Sequence, residues 1–127
     1  MQATGRRCVY VIDDDKGVLE SSAFLLSALG YDCVTFAEAE AFLDAAETLP
    51  PGCILTDLRM PRLDGFELAA GLRKRDIGWP ILMITSETGE QVERRAAEHG
   101  FAALLHKPID ADLLVDSLER AFAAFER

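Results

Sequence analysis

Two hydrophobic patterns alternate along the chain. Runs in which nearly every position is apolar or β-branched stand at 8–12 (CVYVI), 32–36 (DCVTF), 53–57 (CILTD), 80–85 (PILMIT) and 102–106 (AALLH). Runs of this length, bounded by turn residues, read as buried strands. Between them the apolar residues return at helical spacing. Over 16–29, Val18, Leu25, Leu26 and Leu29 fall on one stripe, and Gly30 supplies a stop. Further helices are predicted over 38–49, 65–75, 89–99 with Gly100 as its stop, and 110–125. Acids open the last of these, where they suit the positive end of the helix dipole.

Five strands alternating with five helices predict an α/β protein with a doubly wound sheet. The strands show no in/out alternation, as expected of parallel strands covered on both faces. Right-handed crossovers restrict the topology, and the commonest solution at this size is the flavodoxin-like (βα)5 fold, a five-stranded parallel sheet in the order 2-1-3-4-5. The 127 residues suit a single domain, with no repeat or interdomain linker.

Half of the residues are hydrophobic, a globular composition, and the net charge is -9. That charge argues against direct binding to nucleic acid or to an anionic membrane, both polyanions. Cys8, Cys33 and Cys53 form an odd set without a CxxC spacing and lie in strand-like runs. They read as reduced, buried thiols, which fits a cytoplasmic protein. The N-terminal MQATGRR leads into the first strand without a signal-peptide core, and no apolar run is long enough to span a membrane.

In a doubly wound sheet, ligands bind at the carboxyl ends of the strands near the switch in strand order. The first strand ends in Asp13-Asp14-Asp15, the third in Asp57, the fourth in Thr85-Ser86 and the fifth in Lys107-Pro108. The predicted order brings these ends together. Clustered carboxylates repel one another, and a divalent cation with oxygen ligands relieves the repulsion. Magnesium takes few carboxylates, keeps waters and often completes its shell with a phosphate. A lysine supplies a point charge for the same phosphate, and a threonine hydroxyl can donate to it. Asp57 is then a candidate nucleophile that forms an aspartyl phosphate.

The segments VYVIDDD, TDLRMPRLDGFEL, PILMITSE and HKP, in this order and spacing, resemble the receiver domains of two-component response regulators, most closely those of the FixJ/NarL type. The resemblance covers essentially the whole chain, 1–127, as one receiver without an output domain. It implies a signalling switch, not an enzyme acting on an external substrate. Asp57 is the implied phosphoacceptor, phosphorylated by a histidine kinase or a histidine phosphotransfer protein. Asp13, Asp14, Asp57 and the backbone carbonyl of Arg59 are implied ligands of Mg²⁺, for which Mn²⁺ can substitute. Thr85 matches the switch hydroxyl and Lys107 the phosphate-binding lysine. Pro108 matches a proline whose preceding bond is cis in the family, a geometry that only an X-Pro bond adopts at low cost. Pro61 and Gly65 shape the loop after Asp57, where proline fixes φ and glycine permits an unusual turn or a close approach. The family also implies a possible homodimer through the face of the fourth helix, fifth strand and fifth helix. Glu90, Glu93, Arg94, Arg95 and Glu98 stand there as charges able to pair across a two-fold axis.

One position departs from the family pattern. Receivers usually carry Tyr, Phe or His three residues before the lysine, and here Leu104 stands there. The resemblance then implies a weaker switch, or one carried by backbone movement of the loops. The resemblance also implies that the positions two residues beyond the phosphoacceptor and the threonine vary and tune dephosphorylation; here they are Arg59 and Glu87, whose opposite charges predict a rim pair that slows hydrolysis of the phosphoryl group. Other functions fit less well. Aspartyl-nucleophile phosphatases of the haloacid-dehalogenase type want an acid where Arg59 stands. A flavin-phosphate cradle would not hold three aspartates. A receiver fold used only for binding would not need all five site positions. His99, His106, Trp79 and Phe101 read as packing or neutral residues, and Phe24 as an isolated exposed ring or part of a docking patch.

Overall fold

A computed structural model describes residues 6–126. Its strands are β1 (Cys8–Ile12), β2 (Asp32–Phe36), β3 (Cys53–Asp57), β4 (Ile81–Thr85) and β5 (Ala103–His106). Its helices are α1 (Lys16–Ala28), α2 (Ala39–Ala46), α3 (Gly65–Lys74), α4 (Glu90–Glu98) and α5 (Ala111–Phe125). The strands form one parallel sheet in the order β2-β1-β3-β4-β5, as the alternation predicts.

The pleat divides each central strand between two cores. Tyr10, Ile12, Ile54 and Ile81 face α2 and α3, where Phe42, Leu68, Leu72 and Trp79 pack. Tyr10 stacks on Trp79 with ring centroids 5.7 Å apart. Val9, Val11, Leu55, Leu82 and Leu105 face α1 and α5, where Leu19, Leu26, Leu114, Leu118 and Phe122 pack. A third cluster joins Leu58, Phe66 and Met83 to Val92 and Ala96 of α4. Both faces of β1 and β4 are buried throughout, whereas the edge strands β2 and β5 are only partly covered.

The stripe on α1 differs from the sequence reading. Its buried residues are Leu19, Ser22 and Leu26. Val18 and Leu25 are half-buried on the flank, and Leu29 is exposed. The line that meets the sheet passes through a serine, so an apolar-only pattern lands about one residue away from it. The predicted stops hold: Gly30 adopts φ +98° and Gly100 φ +78°, values that favour glycine. Side chains cap three helices. Asp15 accepts from the Val18 N–H at 3.1 Å, and Asp110 accepts from the N–H groups of Asp112 and Leu113. Asp64 and Glu67 form a reciprocal capping box on α3.

Candidate functional site

The parallel sheet sends the carboxyl ends of β1, β3, β4 and β5 to one edge, where the predicted residues meet. Asp13 follows β1, and its backbone N–H is anchored to the Phe36 carbonyl of β2 at 3.2 Å. Its carboxyl group is buried, and Oδ1 accepts from the Asp15 N–H at 2.9 Å. Asp14 is exposed and Asp57 half-buried. One carboxylate oxygen from each of Asp13, Asp14 and Asp57 lies within 4.8 Å of the others. Asp15, the third acid of the triplet, instead caps α1. A short cluster of hard oxygen donors suits a small divalent cation.

Lys107 closes the cluster from β5. Its Nζ lies 3.4 Å from Asp57 Oδ2 and 3.7 Å from Asp13 Oδ2. Its backbone N–H donates to the Thr85 carbonyl at 3.0 Å, which ties the ends of β4 and β5 together. The Lys107-Pro108 peptide bond is cis, as the resemblance implies. Burial pushes the Asp13 carboxyl above its usual range, and the Asp57 and Asp14 charges add to this. The Asp15 N–H and Lys107 work in the opposite direction. Desolvation therefore outweighs the nearby ammonium at Asp13.

Thr85 is buried at the end of β4, and its Oγ1 accepts from the Glu87 N–H at 3.1 Å. Arg59 and Glu87 form the rim pair that their charges predict. The Arg59 fork grips the Glu87 carboxylate through Nε to Oε2 and through Nη2 to Oε1, the latter at 3.0 Å. The hydrogen bond from Arg59 lowers the Glu87 pKa and raises that of the guanidinium.

In the loop after β3, Pro61 is exposed and its carbonyl accepts from the Leu63 N–H at 2.8 Å. Gly65 serves a close approach and not an unusual turn. A Cβ there would lie 3.0 Å from the Asp57 carbonyl oxygen and 3.3 Å from both Leu58 Cα and Met83 Cε. Leu104 is half-buried against the cluster of Leu58, Phe66 and Met83, and lines a groove of about 430 Å³ between α4 and β5. His106 is exposed, and His99 donates to or accepts from no site residue: its Nδ1 lies 2.8 Å from the Arg95 carbonyl and its ring packs on Phe66. Trp79 and Phe101 are packing residues.

Two features escaped the sequence reading. Thr56, buried in β3, donates through Oγ1 to the Asp57 carbonyl at 2.9 Å. A threonine in an otherwise apolar run next to Asp57 is the signal that could have marked it. Arg62 adopts φ 71° and reaches Glu38 and Glu40 on the loop before α2 and in its first turn. No sequence pattern points to that contact.

A five-stranded sheet in this order, with an acid cluster and a lysine at one carboxyl edge, defines a receiver-type signalling domain. Residues 9–119 match the family described as response regulator receiver domain, and the chain belongs to that family. It is 37% identical over 118 residues to the transcriptional regulatory protein FixJ of Bradyrhizobium diazoefficiens, covering 93% of this chain and 58% of that protein. It is 41% identical over 102 residues to FixJ of Azorhizobium caulinodans, covering 80% of this chain and 48% of that protein. The chain thus spans about half the length of these relatives. Among solved structures, FixJ-N superimposes with a TM-score of 0.85 at 32% identity, covering 95% of this chain and 94% of that one. The chemotaxis protein CheY4 of Vibrio cholerae follows with a TM-score of 0.83 at 27% identity, covering 92% and 99%. No helix among the described residues is long and apolar enough to cross a membrane.

Proposed function

We propose that this chain is the phosphorylation-operated switch of a two-component system, with Asp57 as the acceptor and a histidine kinase or histidine phosphotransfer protein as the donor. The observation that carries this reading is the placement of Lys107 Nζ 3.4 Å from Asp57 Oδ2, beside three acids whose oxygens lie within 4.8 Å of one another. In the transfer, an Asp57 carboxylate oxygen attacks phosphorus. An O–P bond forms as the P–N bond to the donor imidazole breaks, and the electron pair remains on that nitrogen, which takes a proton from solvent. Lys107 draws the phosphoryl oxygens toward Asp57. The bond that Thr85 receives from Glu87 uses a lone pair, so its hydroxyl proton can turn toward a phosphoryl oxygen.

Asp13, Asp14, Asp57 and the Arg59 carbonyl would hold Mg²⁺ or Mn²⁺, and the donor set fits: hard oxygens, close together and partly open to water. The bound ion supplies neutralisation of charge on the transferring group. The donor protein would dock beside the site, where Gly17, Val18, Leu25, Pro108 and Ile109 line a groove of about 550 Å³ between α1 and the loop before α5. Phe24, 80% exposed, stands on α1. Cys8 and Cys53 are buried as expected, whereas Cys33, on the edge strand β2, is only half-buried; free thiols of this kind suit a cytoplasmic switch. A homodimer would use the α4, β5 and α5 face through Glu90, Glu93, Arg94 and Glu98. Arg95 is instead engaged within the chain, its guanidinium 4.2 Å from the centre of the Phe66 ring.

The test is incubation with acetyl phosphate, with and without Mg²⁺, read by intact mass beside Asp57→Ala. A Mg²⁺-dependent gain of one phosphoryl group that is lost in the variant is expected. No adduct from acetyl phosphate or from a phosphorylated donor protein would overturn the reading.

A further inference from the structure

The buried hydroxyl of Thr56 has no part in the chemistry above, yet it lies one residue from the proposed nucleophile. In the sheet Thr56 stands between Ile12 of β1 and Met83 of β4, almost wholly out of solvent. Valine has nearly the same shape and would fill this apolar layer without a polar group to satisfy. A hydroxyl here must find a partner or destabilise the fold.

Its nearer and stronger partner is the Asp57 carbonyl oxygen, 2.9 Å from Oγ1; Met60 Sδ, at 4.0 Å, is a weak second acceptor for the same proton. That carbonyl stands where the chain leaves β3, with Gly65 packed against it. The other end of the same peptide unit is the Leu58 N–H, which donates to Asp57 Oδ1 at 2.9 Å. A peptide unit is planar, so its C=O and N–H turn together. Holding the carbonyl therefore aims the N–H, and the N–H fixes the rotation of the carboxylate. With Oδ1 held in this way, Oδ2 faces Lys107 at 3.4 Å. A hydrogen bond received at the carbonyl also polarises the amide and strengthens its N–H as a donor.

We propose that Thr56 is a positioning residue for Asp57: its hydroxyl holds the Asp57–Leu58 peptide plane, whose N–H orients the carboxylate for attack on phosphorus. The proposal rests on the reading of Asp57 as phosphoacceptor.

The experiment compares the parent chain with Thr56→Val, Thr56→Ser and Asp57→Ala. One readout is the rate of labelling by acetyl phosphate in saturating Mg²⁺. The other is the backbone ¹H–¹⁵N resonance of Leu58 in the unphosphorylated proteins, which a merely space-filling role would leave in place. Thr56→Val is expected to label about tenfold more slowly, since small misplacements of a reacting group cost at least this much. Its Leu58 amide proton moves upfield as its bond weakens. Thr56→Ser restores both readouts, the rate to within about twofold of the parent on the same reasoning. Should valine crowd its neighbours and prevent folding, Thr56→Ala carries the same expectation. A valine or alanine variant that labels at the parent rate with an unmoved Leu58 amide overturns the proposal. A parent that takes no label from acetyl phosphate or from a phosphorylated donor protein removes the phosphoacceptor reading, and the Leu58 resonance then decides on Thr56 by itself.

Discussion

Replacing Asp13 by asparagine removes one charge and little else. The side-chain amide keeps an Oδ1 that can accept the Asp15 N–H, now 2.9 Å away. In the metal-free protein the buried Asp13 carboxylate meets two like charges within 4.8 Å and the Lys107 ammonium at 3.7 Å. At an effective dielectric constant of about 20, each such like-charge contact costs about 3 to 4 kcal/mol and the ammonium returns about 4 to 5. The two like-charge contacts together outweigh the ammonium by about 2 to 3 kcal/mol, and the partial solvation of Asp14 and Lys107 scales this net repulsion down to about 1 to 2. Desolvation, the largest cause of the raised pKa of Asp13, acts in the same direction. Asp13→Asn should therefore stabilise the metal-free fold by about 1 to 2 kcal/mol at neutral pH, or several degrees in Tm for a domain of this size.

The sign also follows with pH. A carboxyl whose folded pKa lies above its unfolded value contributes stability below the unfolded value, near 4, and loses it as pH rises through the folded value. The advantage of Asp13→Asn should thus be absent at acid pH and open as pH rises above about 4. Mg²⁺ bound at the proposed site should narrow or reverse the gap. A ligand at a hundred times its Kd stabilises by about 2.7 kcal/mol, and the variant, lacking one anionic ligand, gains less. Urea melts in EDTA and in MgCl₂ across pH check both statements. A variant less stable than the parent in EDTA at pH 7, or a gap that pH leaves unchanged, would falsify the reasoning.

Two further outcomes are expected. Arg59→Ala and Glu87→Ala each open the rim pair and should shorten the lifetime of the phosphorylated protein severalfold, measured as loss of the phosphoryl mass; unchanged lifetimes in both would show that the pair does not restrict water. The pair is exposed, so neither change should measurably alter stability. Gly65→Ala forces a methyl group against the Asp57 carbonyl and Met83, and should cost about 1 to 3 kcal/mol in urea unfolding, by the usual scale of overpacking. An alanine chain as stable as the parent would mean that the loop yields without strain.

All five strands and five helices were legible in the hydrophobic pattern. Strands buried on both faces need continuous apolar runs, and helices on the outside need spaced ones. The site residues were legible for a related reason. A parallel sheet sends every strand's carboxyl end to one edge, so Asp13, Asp57, Thr85 and Lys107 betray themselves by following apolar runs. The opposite charges of Arg59 and Glu87 could be paired in advance because the family resemblance places both positions at the rim of the site.

What local sequence left open depended on groups brought together from distant parts of the chain. Which stripe of α1 meets the sheet was decided by packing over β1, which buries Ser22 and leaves Leu29 outside. Asp15 looks like its two neighbours in sequence, but the turn into α1 makes it a cap and removes it from the acid cluster. Arg95 looks like another surface charge, yet it lies over a buried ring of α3. The role of Gly65 as a close approach exists only once the loop folds back on the end of β3. The line from the Thr56 hydroxyl through one peptide plane to the Asp57 carboxylate joins neighbours in sequence, and the backbone angles that align them are set by the packed strand. The sequence alone determined which elements form and what stands at their ends, because both follow from local periodicity. Tertiary structure decided which polar groups touch, because a hydrogen bond depends on positions resolved to a few tenths of an ångström, and only the packed sheet sets them.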